Sequence, residues 1–192
     1  TVFTDSGGVL SECRSGVNVQ VTKLTTQSTS YAEQISKLKD VISKSLAANE
    51  SNPPNDLMDQ RDLLVNQLNT LVKTDVQKQN DGSYNVTIGN GIPLVIGSKA
   101  YQLKTVNSDT DPSRLEVAYV SGTTTSTLSE KSVVGGAMGG LLQFRSGSLD
   151  AIQNQLGQIA TVFAATFNAQ HQSGFDADGV AGVAFFNVPS PT

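Results

Sequence analysis

An apolar residue recurs at every seventh position over the first part of the chain. The repeat consists of Phe3, Leu10, Val17, Leu24, Tyr31 and Leu38, with Val21, Ile35 and Ile42 at intermediate positions. A heptad sustained over this length predicts a long helix that packs side by side with other helices. Gly7, Arg14 and Ser28 interrupt the intermediate positions. The first predicted element is therefore a helix over about residues 1–50.

Pro53 and Pro54 mark the start of a second helix, predicted over about residues 56–73. Proline lacks a backbone N–H and restricts the residue before it, so a helix begins after such a pair but does not pass through it. The side chain of Asn55 or Asp56 is predicted to accept hydrogen bonds from the first turn. The apolar stripe behind this start is Leu57, Leu64, Leu68 and Leu71.

From about Asp75 the composition changes to β-branched residues separated by turn pairs. Asp81-Gly82 and Asn90-Gly91 suit turn positions with positive φ. Four or five short strands are predicted, over 76–79, 84–88, 94–96, 101–106 and 115–120. The polar run 121–127 predicts an exposed loop. These segments form a predicted β-rich subdomain of about residues 75–134.

A second apolar stripe predicts a third helix over about residues 142–171. The stripe is Leu149, Ile152, Leu156, Ile159, Phe163 and Phe167. Steps of three and four residues predict a helix face that is buried in a core, and the stripe ending at Ile42 is its candidate partner. The glycines at 135, 136, 139 and 140 predict a flexible or close-packed connection before this helix. Residues 172–192 are predicted to be a loop-rich tail.

Together these elements predict an α+β fold, an elongated antiparallel bundle of long helices with a small antiparallel β-rich insertion. The 192 residues suit one rod-like helical domain that carries the β-rich subdomain. The predicted helix-packing seam consists of Val17, Leu24, Tyr31, Ile35, Leu38, Ile42, Leu64 and Leu68, together with the stripe of the third helix.

Charge and composition exclude several classes of protein. A net charge of −4, a pI near 4.9 and no cluster of Lys and Arg argue against nucleic acid or an anionic membrane as a partner. We expect no membrane anchor or cleavable signal in this segment, because it has neither a long apolar run nor a basic start. Cys13 and His171 are the single cysteine and histidine. They exclude an internal disulfide and a four-ligand zinc site.

No motif in the chain predicts catalysis, and no cofactor is expected. Asp176-Ala177-Asp178-Gly179 resembles part of a calcium loop but lacks the third acidic position and the distal Glu, which favours a surface turn. Asp59 and Asp62 lie three residues apart on one helical side, and the adjacent Arg61 favours surface pairing over acid–base chemistry. His171 is predicted to lie near a helix C-terminus.

Three separate motifs resemble the flagellar hook-associated protein 1 family. They are Pro54 to Val65, Gly139 to Arg145, and Phe167 to His171 with Gly174-Phe175-Asp176 and Phe185-Phe186. Asp111 to Arg114, leading into Val117 to Val120, resembles the enterobacterial type of that family. The resemblance implies a structural role for Asn55, Asp56, Asp59, Gln60, Arg61, Asp62, Gly140, Phe144 and Arg145.

The resemblance also implies a function. A member of this family is a structural protein, not an enzyme, that is secreted through the flagellar export channel and joins hook to filament outside the cell. Its expected partners are the hook protein, the second hook–filament junction protein, copies of itself, and an export chaperone at a C-terminal end. The terminal segments of the family, which form an inner coiled-coil tube, are not recognisable here, so we expect an interior piece.

A second function remains open from the composition alone. A secreted adhesin or tail-fibre module would share these helices and recognise a ligand through the β-rich region, from Asp75 to Glu130. Reproducible binding of that region on a glycan array would favour the adhesin.

Overall fold

The computed structural model describes residues 2–48, 53–79 and 83–187. Its helices are α1 (Val2–Ala48), α2 (Asn55–Leu71), α3 (Gly136–Phe144) and α4 (Asp150–Gln172). A π-helical turn, Arg145–Leu149, joins α3 to α4, and a 3-10 turn, Glu130–Ser132, precedes α3. The fold is therefore α+β, as predicted from the sequence. In the described part of the chain, no helix carries an apolar stretch long enough to cross a lipid bilayer.

The strands form two antiparallel sheets. The first sheet has the order β1 (Thr74–Lys78), β2 (Tyr84–Ile88), β3 (Ile92–Ile96), β4 (Lys99–Ala100). The second has the order β5 (Gln102–Asn107), β6 (Leu115–Ser121), β7 (Thr124–Thr127). Each strand pairs with the next one along the chain within its sheet, which is the economical topology for strands joined by short turns. The buried residues of the sheets include Val86, Ile88, Leu94, Val95, Leu103, Val117 and Ala118.

Helix α1 buries a face that lies beside the predicted line of seven-residue repeats. Val21, Ile35 and Ile42, from the intermediate positions, are buried, whereas Leu24, Tyr31 and Leu38 are only half-buried. The remaining buried residues of this face are Val17, Thr25, Ser28, Ala32 and Ser36. The side chain of Phe3 lies outside the described residues. The heptad therefore predicts the helix correctly. The centre of the buried face, however, lies about one residue after the predicted positions, for example at Thr25 instead of Leu24.

Small hydroxyl residues explain the displaced seam. Thr25 Oγ1 donates to the carbonyl of Val21 at 2.6 Å, and Ser28 Oγ donates to that of Leu24 at 2.8 Å. A buried hydroxyl is tolerated when it is hydrogen-bonded, so these residues behave as small core side chains. Ser28 counts against the heptad in the sequence, yet it is fully buried in the structure.

Helix α2 begins at Asn55, one residue before the predicted start. The predicted cap by the side chain of Asn55 or Asp56 is wrong. Pro54 occupies the N-cap position without a side-chain cap bond, and its carbonyl accepts from the N–H groups of Leu57 and Met58, each at 3.1 Å. Asn55 is already helical, so its side chain lies too far along the helix to cap the first turn.

Three further predictions are corrected by the structure. The third helix starts at Gly136 instead of 142, since Gly139 and Gly140 lie within α3. A Cβ at Gly139 would lie 2.8 Å from the backbone carbon of Val134, so at this position close packing, one of the two predicted roles, applies, whereas a Cβ at Gly140 would meet nothing within 4 Å. Among the described residues the sheets contain seven strands, and the additional β7 falls in the predicted polar loop 121–127. The predicted Asp81-Gly82 turn lies outside the described residues.

The chain divides into two compact units, Thr1–Arg145 and Ser146–Thr192, where the sequence predicts one domain. The first unit contains α1, α2, α3 and both sheets. The second contains α4 and the segment after it, in which an isolated bridge pairs Phe175 with Ala181. The division follows from α4, which has no buried residue among those described.

Candidate functional site

Arg145 forms the most buried ionic cluster in the first unit. Its side chain is 1% exposed, and its Nη1 donates to the carbonyl of Leu115 at 2.6 Å. Its Nε donates to Glu130 Oε1 at 3.0 Å, and Nη2 donates to the same oxygen. Arg114 Nη2 also donates to that oxygen, at 2.6 Å. One carboxylate thus binds two guanidinium groups and fixes the end of α3 to the start of β6.

A second buried arginine attaches α2 to the first sheet. The guanidinium carbon of Arg61 lies 3.5 Å from the centre of the Tyr84 ring, and Arg61 is only 4% exposed. Its Nη2 pairs with Asp62 Oδ1 at 2.9 Å. Burial, together with a hydrogen bond to Asp62, raises the pKa of the Tyr84 hydroxyl. The predicted surface pairing of Arg61 is therefore only half correct, because the guanidinium is covered by the ring.

A line of polar residues on α1 forms hydrogen bonds with the second sheet and its loops, and with the β3–β4 turn of the first sheet. Asn18 donates to the carbonyl of Ser113 at 2.8 Å, and its Oδ1 accepts from the N–H of Leu115 at 3.1 Å. Ser36 Oγ donates to the carbonyl of Ser98 at 2.6 Å. Arg14, Asn18, Thr22, Thr29 and Ser36 follow steps of four and seven residues, so they lie on one helical side. We call these five residues the α1 contact line.

Within the α1 contact line, Thr29 binds both backbone groups of one strand residue, as a neighbouring strand would. Its hydroxyl donates to the carbonyl of Leu103 at 3.0 Å and accepts from the N–H of the same residue at 3.0 Å. Leu103 belongs to β5, which lies at the edge of its sheet. One side chain thus satisfies the N–H and the C=O of Leu103, a residue of the edge strand.

We expect Thr29→Val to lower the free energy of unfolding by about 1 to 3 kcal/mol. Valine has the same shape as threonine but leaves both backbone groups of Leu103 without a partner. Chemical denaturation would measure the change. The control is Thr26→Val, because the exposed Thr26 hydroxyl binds only the carbonyl of Thr22 in its own helix, at 2.9 Å. Equal effects of the two variants would contradict the role of Thr29.

Asp111 forms an ion pair with Arg14, the first residue of the α1 contact line. A hydrogen bond from the Ser113 hydroxyl, at 2.6 Å, lowers the pKa of Asp111, and the Ser113 N–H and the Arg14 guanidinium act in the same direction. The ordinary value for this carboxyl is 3.8. Because the pKa is lower in the folded chain, the ionised form stabilises the fold above that value, and this contribution disappears as the pH falls through the lowered pKa.

Asp111→Asn is therefore expected to reduce the acid sensitivity of the fold. The difference in unfolding free energy between the native chain and the variant should shrink as the pH falls from about 5 through the lowered pKa of Asp111. Urea denaturation at a series of pH values would measure it. Asp109→Asn, an exposed change in the same loop, is the control. A difference that stays constant with pH would contradict the assignment.

The second unit exposes the apolar stripe of α4. Ile152, Ile159 and Phe163 are 51%, 57% and 55% exposed, Phe167 is 40% exposed, and Leu156 is half-buried. The predicted burial of this stripe is thus wrong for the described residues, since about half of most of these side chains stays exposed even though Phe185 and Phe186 contact Phe167. Its use as a packing seam stays a prediction.

Asn168 holds the segment after α4 against the helix. Its Oδ1 accepts from the N–H groups of Phe185 and Phe186, each at 2.8 Å, and its Nδ2 donates to the carbonyl of Phe186 at 2.8 Å. Phe167 contacts the rings of Phe185 and Phe186, both with centroids 5.3 Å apart. His171 lies in the last turn of α4, as predicted, with Nδ1 2.8 Å from the carbonyl oxygen of Val183.

The residues of the family motifs fall into two groups. Arg61 and Arg145 are buried and bind other elements, as described above. The others are exposed on α2 and α3: Asn55, Asp56, Asp59, Gln60, Asp62, Gly140 and Phe144. In the predicted seam, Val17, Ile35, Ile42, Leu64, Leu68 and Leu149 are buried. The motif residues therefore combine two internal contacts with a large exposed surface.

Sequence reasoning missed the partners of the two arginines and the α1 contact line. Glu130 and Tyr84 carry no local motif. One usable signal was present, because an arginine next to a buried helical face requires a carboxylate or an aromatic ring as its partner. The α1 contact line also had a signal, the spacing of its polar residues on one helical side.

The weaker chemical motifs form local structure. Asp176 Oδ1 accepts from the N–H groups of Asp178 and Val180 at 2.9 and 2.8 Å, which is a turn of the kind expected. Cys13 is exposed on α1. Within the described ranges, no three His, Cys, Asp or Glu side chains are grouped so as to hold a metal ion.

The fold and these contacts define a structural module. Long helices bind a small β-rich subdomain through buried arginines and polar side chains. The model of the "Flagellar hook-associated protein FlgK helical domain" family matches residues 1–186, so the chain belongs to this family. It is 47% identical over 176 residues to flagellar hook-associated protein 1 of Escherichia coli strain K12, and equally identical to that of Salmonella typhimurium. Each match covers 91% of this chain and 32% of the relative, so the chain spans about a third of their length.

A solved structure agrees with this membership. The flagellar hook junction protein FlgK from Burkholderia pseudomallei superimposes with a TM-score of 0.85 at 41% sequence identity. The match covers 99% of this chain and 34% of that chain. The membership favours the flagellar interpretation of the sequence over the adhesin interpretation.

Proposed function

We propose that this chain is a structural segment of a bacterial flagellar protein that joins hook to filament by subunit packing, without catalysis. The observation that carries the proposal is the match of residues 1–186 to the FlgK helical domain. The relatives are named hook-associated proteins, and the Burkholderia protein is named a hook junction protein. A junction of this kind needs an element that keeps its shape and surfaces that contact neighbouring subunits.

The contacts of the first unit support the shape-keeping role. Arg145 fixes the end of α3 to β6, Arg61 fixes α2 to Tyr84, and the α1 contact line fixes α1 to the second sheet. These contacts join residues that are distant in sequence, so the β-rich subdomain does not swing independently of the helices. The intramolecular use of Arg61 agrees with the expectation that exposed ion pairs contribute little.

The stripe on α4 supports the packing role. Its residues recur at steps of three and four, which is the spacing of a coiled-coil seam. Exposed apolar groups in such a row mark contact surfaces. We propose that Ile152, Ile159, Phe163 and their neighbours pack against a helix of another flagellar subunit. Asn55, Asp56, Asp59 and Gln60 add a polar surface on α2.

The partners follow from this proposal. They are the hook protein, the second hook–filament junction protein and copies of the same chain. An export chaperone would bind the C-terminal end of the longer protein, and the protein would be secreted into the extracellular flagellum. Neither nucleic acid nor a membrane is proposed as a partner, given the pI near 4.9.

The proposed packing of α4 is tested with substitutions in a full-length family member that contains this segment. Ile159→Asp and Phe163→Asp would be expressed in a flagellated host that lacks its own copy. We expect fewer filaments on hooks and more filament protein in the medium, because an aspartate in a packed seam is costly. The control is Val19→Asp, which charges a residue 62% exposed on α1, outside the stripe. Circular dichroism would check that all three variants fold.

Normal filament assembly by both stripe variants would overturn the packing role of α4. A separate measurement would address the partners. Light scattering of this chain over a wide concentration range, with purified hook protein and second junction protein, should show association. A monomer that binds neither would place the contacts in other parts of the longer protein.

A further inference from the structure

The segment after α4 forms an open apolar groove beside the end of that helix. The groove has a volume of about 600 Å³, and its lining includes His171, Phe175, Asp176, Val180 and Val183. Phe175 and Val183 are each 74% exposed, and Val180 is 61% exposed. Exposed apolar residues that are grouped in this way typically mark contact surfaces. We call these five residues the tail groove.

Backbone contacts hold the tail groove in its shape. The N–H of Asp176 donates to the carbonyl of Val180 at 2.9 Å. The N–H of Gly182 donates to the carbonyl of Gly174 at 3.0 Å. A Cβ at Gly182 would overlap the carbonyl oxygen of His171, so the segment packs closely on the end of α4. The apolar side chains are therefore exposed on a fixed backbone, and binding a partner to them costs little in backbone ordering.

The charge around the tail groove is entirely acidic. All 13 lysines and arginines of the chain lie in residues 1–145, whereas residues 146–192 contain three charged groups of one sign, Asp150, Asp176 and Asp178. Asp176 lines the groove, and Asp178 is exposed in the same turn, where its N–H donates to Asp176 Oδ1 at 2.9 Å. The groove therefore favours a partner with a positive charge beside an apolar side chain, and it disfavours the same groove on another copy.

The last turns of α1 carry a surface with this combination of properties. Lys37, Val41 and Lys44 follow steps of four and three residues, so they lie on one side of the helix. Val41 is 47% exposed, and both lysines are exposed. Even with Asp40 at its edge, this side of the helix has a positive net charge. We call Lys37, Val41 and Lys44 the α1 basic patch.

We propose that the tail groove of one copy binds the α1 basic patch of a second copy. Val41 enters the groove, and the lysines lie beside Asp176 and Asp178. Because the two surfaces differ, the contact is head to tail, and each copy in a pair keeps one of its two surfaces for a further neighbour. The inference rests on the proposed function in that copies of the chain meet, but the contact uses neither the α4 stripe nor the polar surface of α2.

Analytical ultracentrifugation of the 192-residue chain over a wide range of concentrations tests the proposal. Lys37→Glu/Lys44→Glu reverses the charge of the patch, and Asp178→Lys reverses charge at the groove. We expect the native chain to associate and each variant alone to associate about tenfold more weakly, because attraction becomes repulsion. A mixture of the two variants should associate again, because the native groove of the first binds the native patch of the second. Rescue by mixing requires a contact between two different surfaces.

Lys78→Glu/Lys104→Glu is the matched control, because it reverses two exposed lysines outside the patch and should associate like the native chain. Circular dichroism would check that every variant folds. Variants that associate like the native chain, or a mixture that fails to restore association, would overturn the proposal.

Two results would overturn this contact and leave the proposed function standing. One is a native chain that stays a monomer at every concentration and still binds hook protein. The other is association that is abolished by Ile159→Asp, on the α4 stripe, and retained by both charge-reversed variants. Association of Ile159→Asp that is lost on adding Lys37→Glu/Lys44→Glu would support the contact, because it shows that the patch acts separately from the stripe.

Discussion

Glu130→Ala is expected to lower the free energy of unfolding by about 3 kcal/mol or more, one of the two largest effects foreseen for this chain. The substitution removes the carboxylate that binds both Arg145 and Arg114. Arg145 is 1% exposed, so its charge would remain buried without its counter-ion. Breaking a buried ion pair by removing one partner costs about 3 to 5 kcal/mol for this reason. Thermal and urea unfolding would measure the loss.

Three further variants separate the effect of this cluster from a general effect of losing a glutamate. Glu12→Ala changes an exposed glutamate on α1 and should alter stability by no more than about 0.5 kcal/mol. Arg145→Met keeps much of the side-chain volume but removes the buried charge. The double variant Glu130→Ala/Arg145→Met should therefore be more stable than the sum of the single effects implies. Additive effects would show that Glu130 and Arg145 act independently.

Gly136→Ala is expected to destabilise the chain by about 3 kcal/mol, from two physical causes. Gly136 has φ of +62°, a conformation that costs an alanine about 1 to 2 kcal/mol. Its Cβ would also lie 2.6 Å from the backbone carbon of Leu71 and 2.7 Å from the backbone nitrogen of Val72. Backbone atoms yield less readily than side chains, and such overlap adds about 1 to 3 kcal/mol. Thermal unfolding would measure the effect.

Gly140→Ala is the matched control within the same helix. A Cβ at Gly140 would meet nothing within 4 Å, so the substitution should be neutral or stabilise α3 by up to about 1 kcal/mol. A loss as large as that of Gly136→Ala would mean that α3 as a whole does not tolerate alanine. The resemblance to the family implies a structural role for Gly140. If that role is contact with a neighbouring subunit, Gly140→Ala should impair assembly without affecting the isolated chain.

Much of the fold could be predicted from the sequence because its signals are local and repetitive. The heptad predicts α1, observed at Val2–Ala48, and the proline pair predicts α2, observed at Asn55–Leu71. Alternating β-branched residues predict most of the strands. Strand β7 was missed because its residues, Thr124–Thr127, are polar and all exposed, so no apolar alternation marks it.

The contacts that fix the elements to one another were harder to predict. Glu130 meets Arg145 across fifteen positions of sequence and meets Arg114 across sixteen, and no periodicity encodes such a meeting. Arg61 has carboxylates as close sequence neighbours, which favoured an exposed ion pair, but the ring of Tyr84 covers it. The exposure of the α4 stripe also could not be predicted, because spacing identifies an apolar face without identifying what lies against it.

The hydroxyl of Thr29 has a consequence for the chain in a crowded assembly. An uncovered edge strand presents free N–H and C=O groups that recruit strands of other molecules, which leads to aggregation and fibre growth. At the buried Leu103, the edge strand β5 has both groups occupied by a side chain of the same molecule. Copies at high local concentration would therefore be unable to pair with β5 through the backbone groups of Leu103.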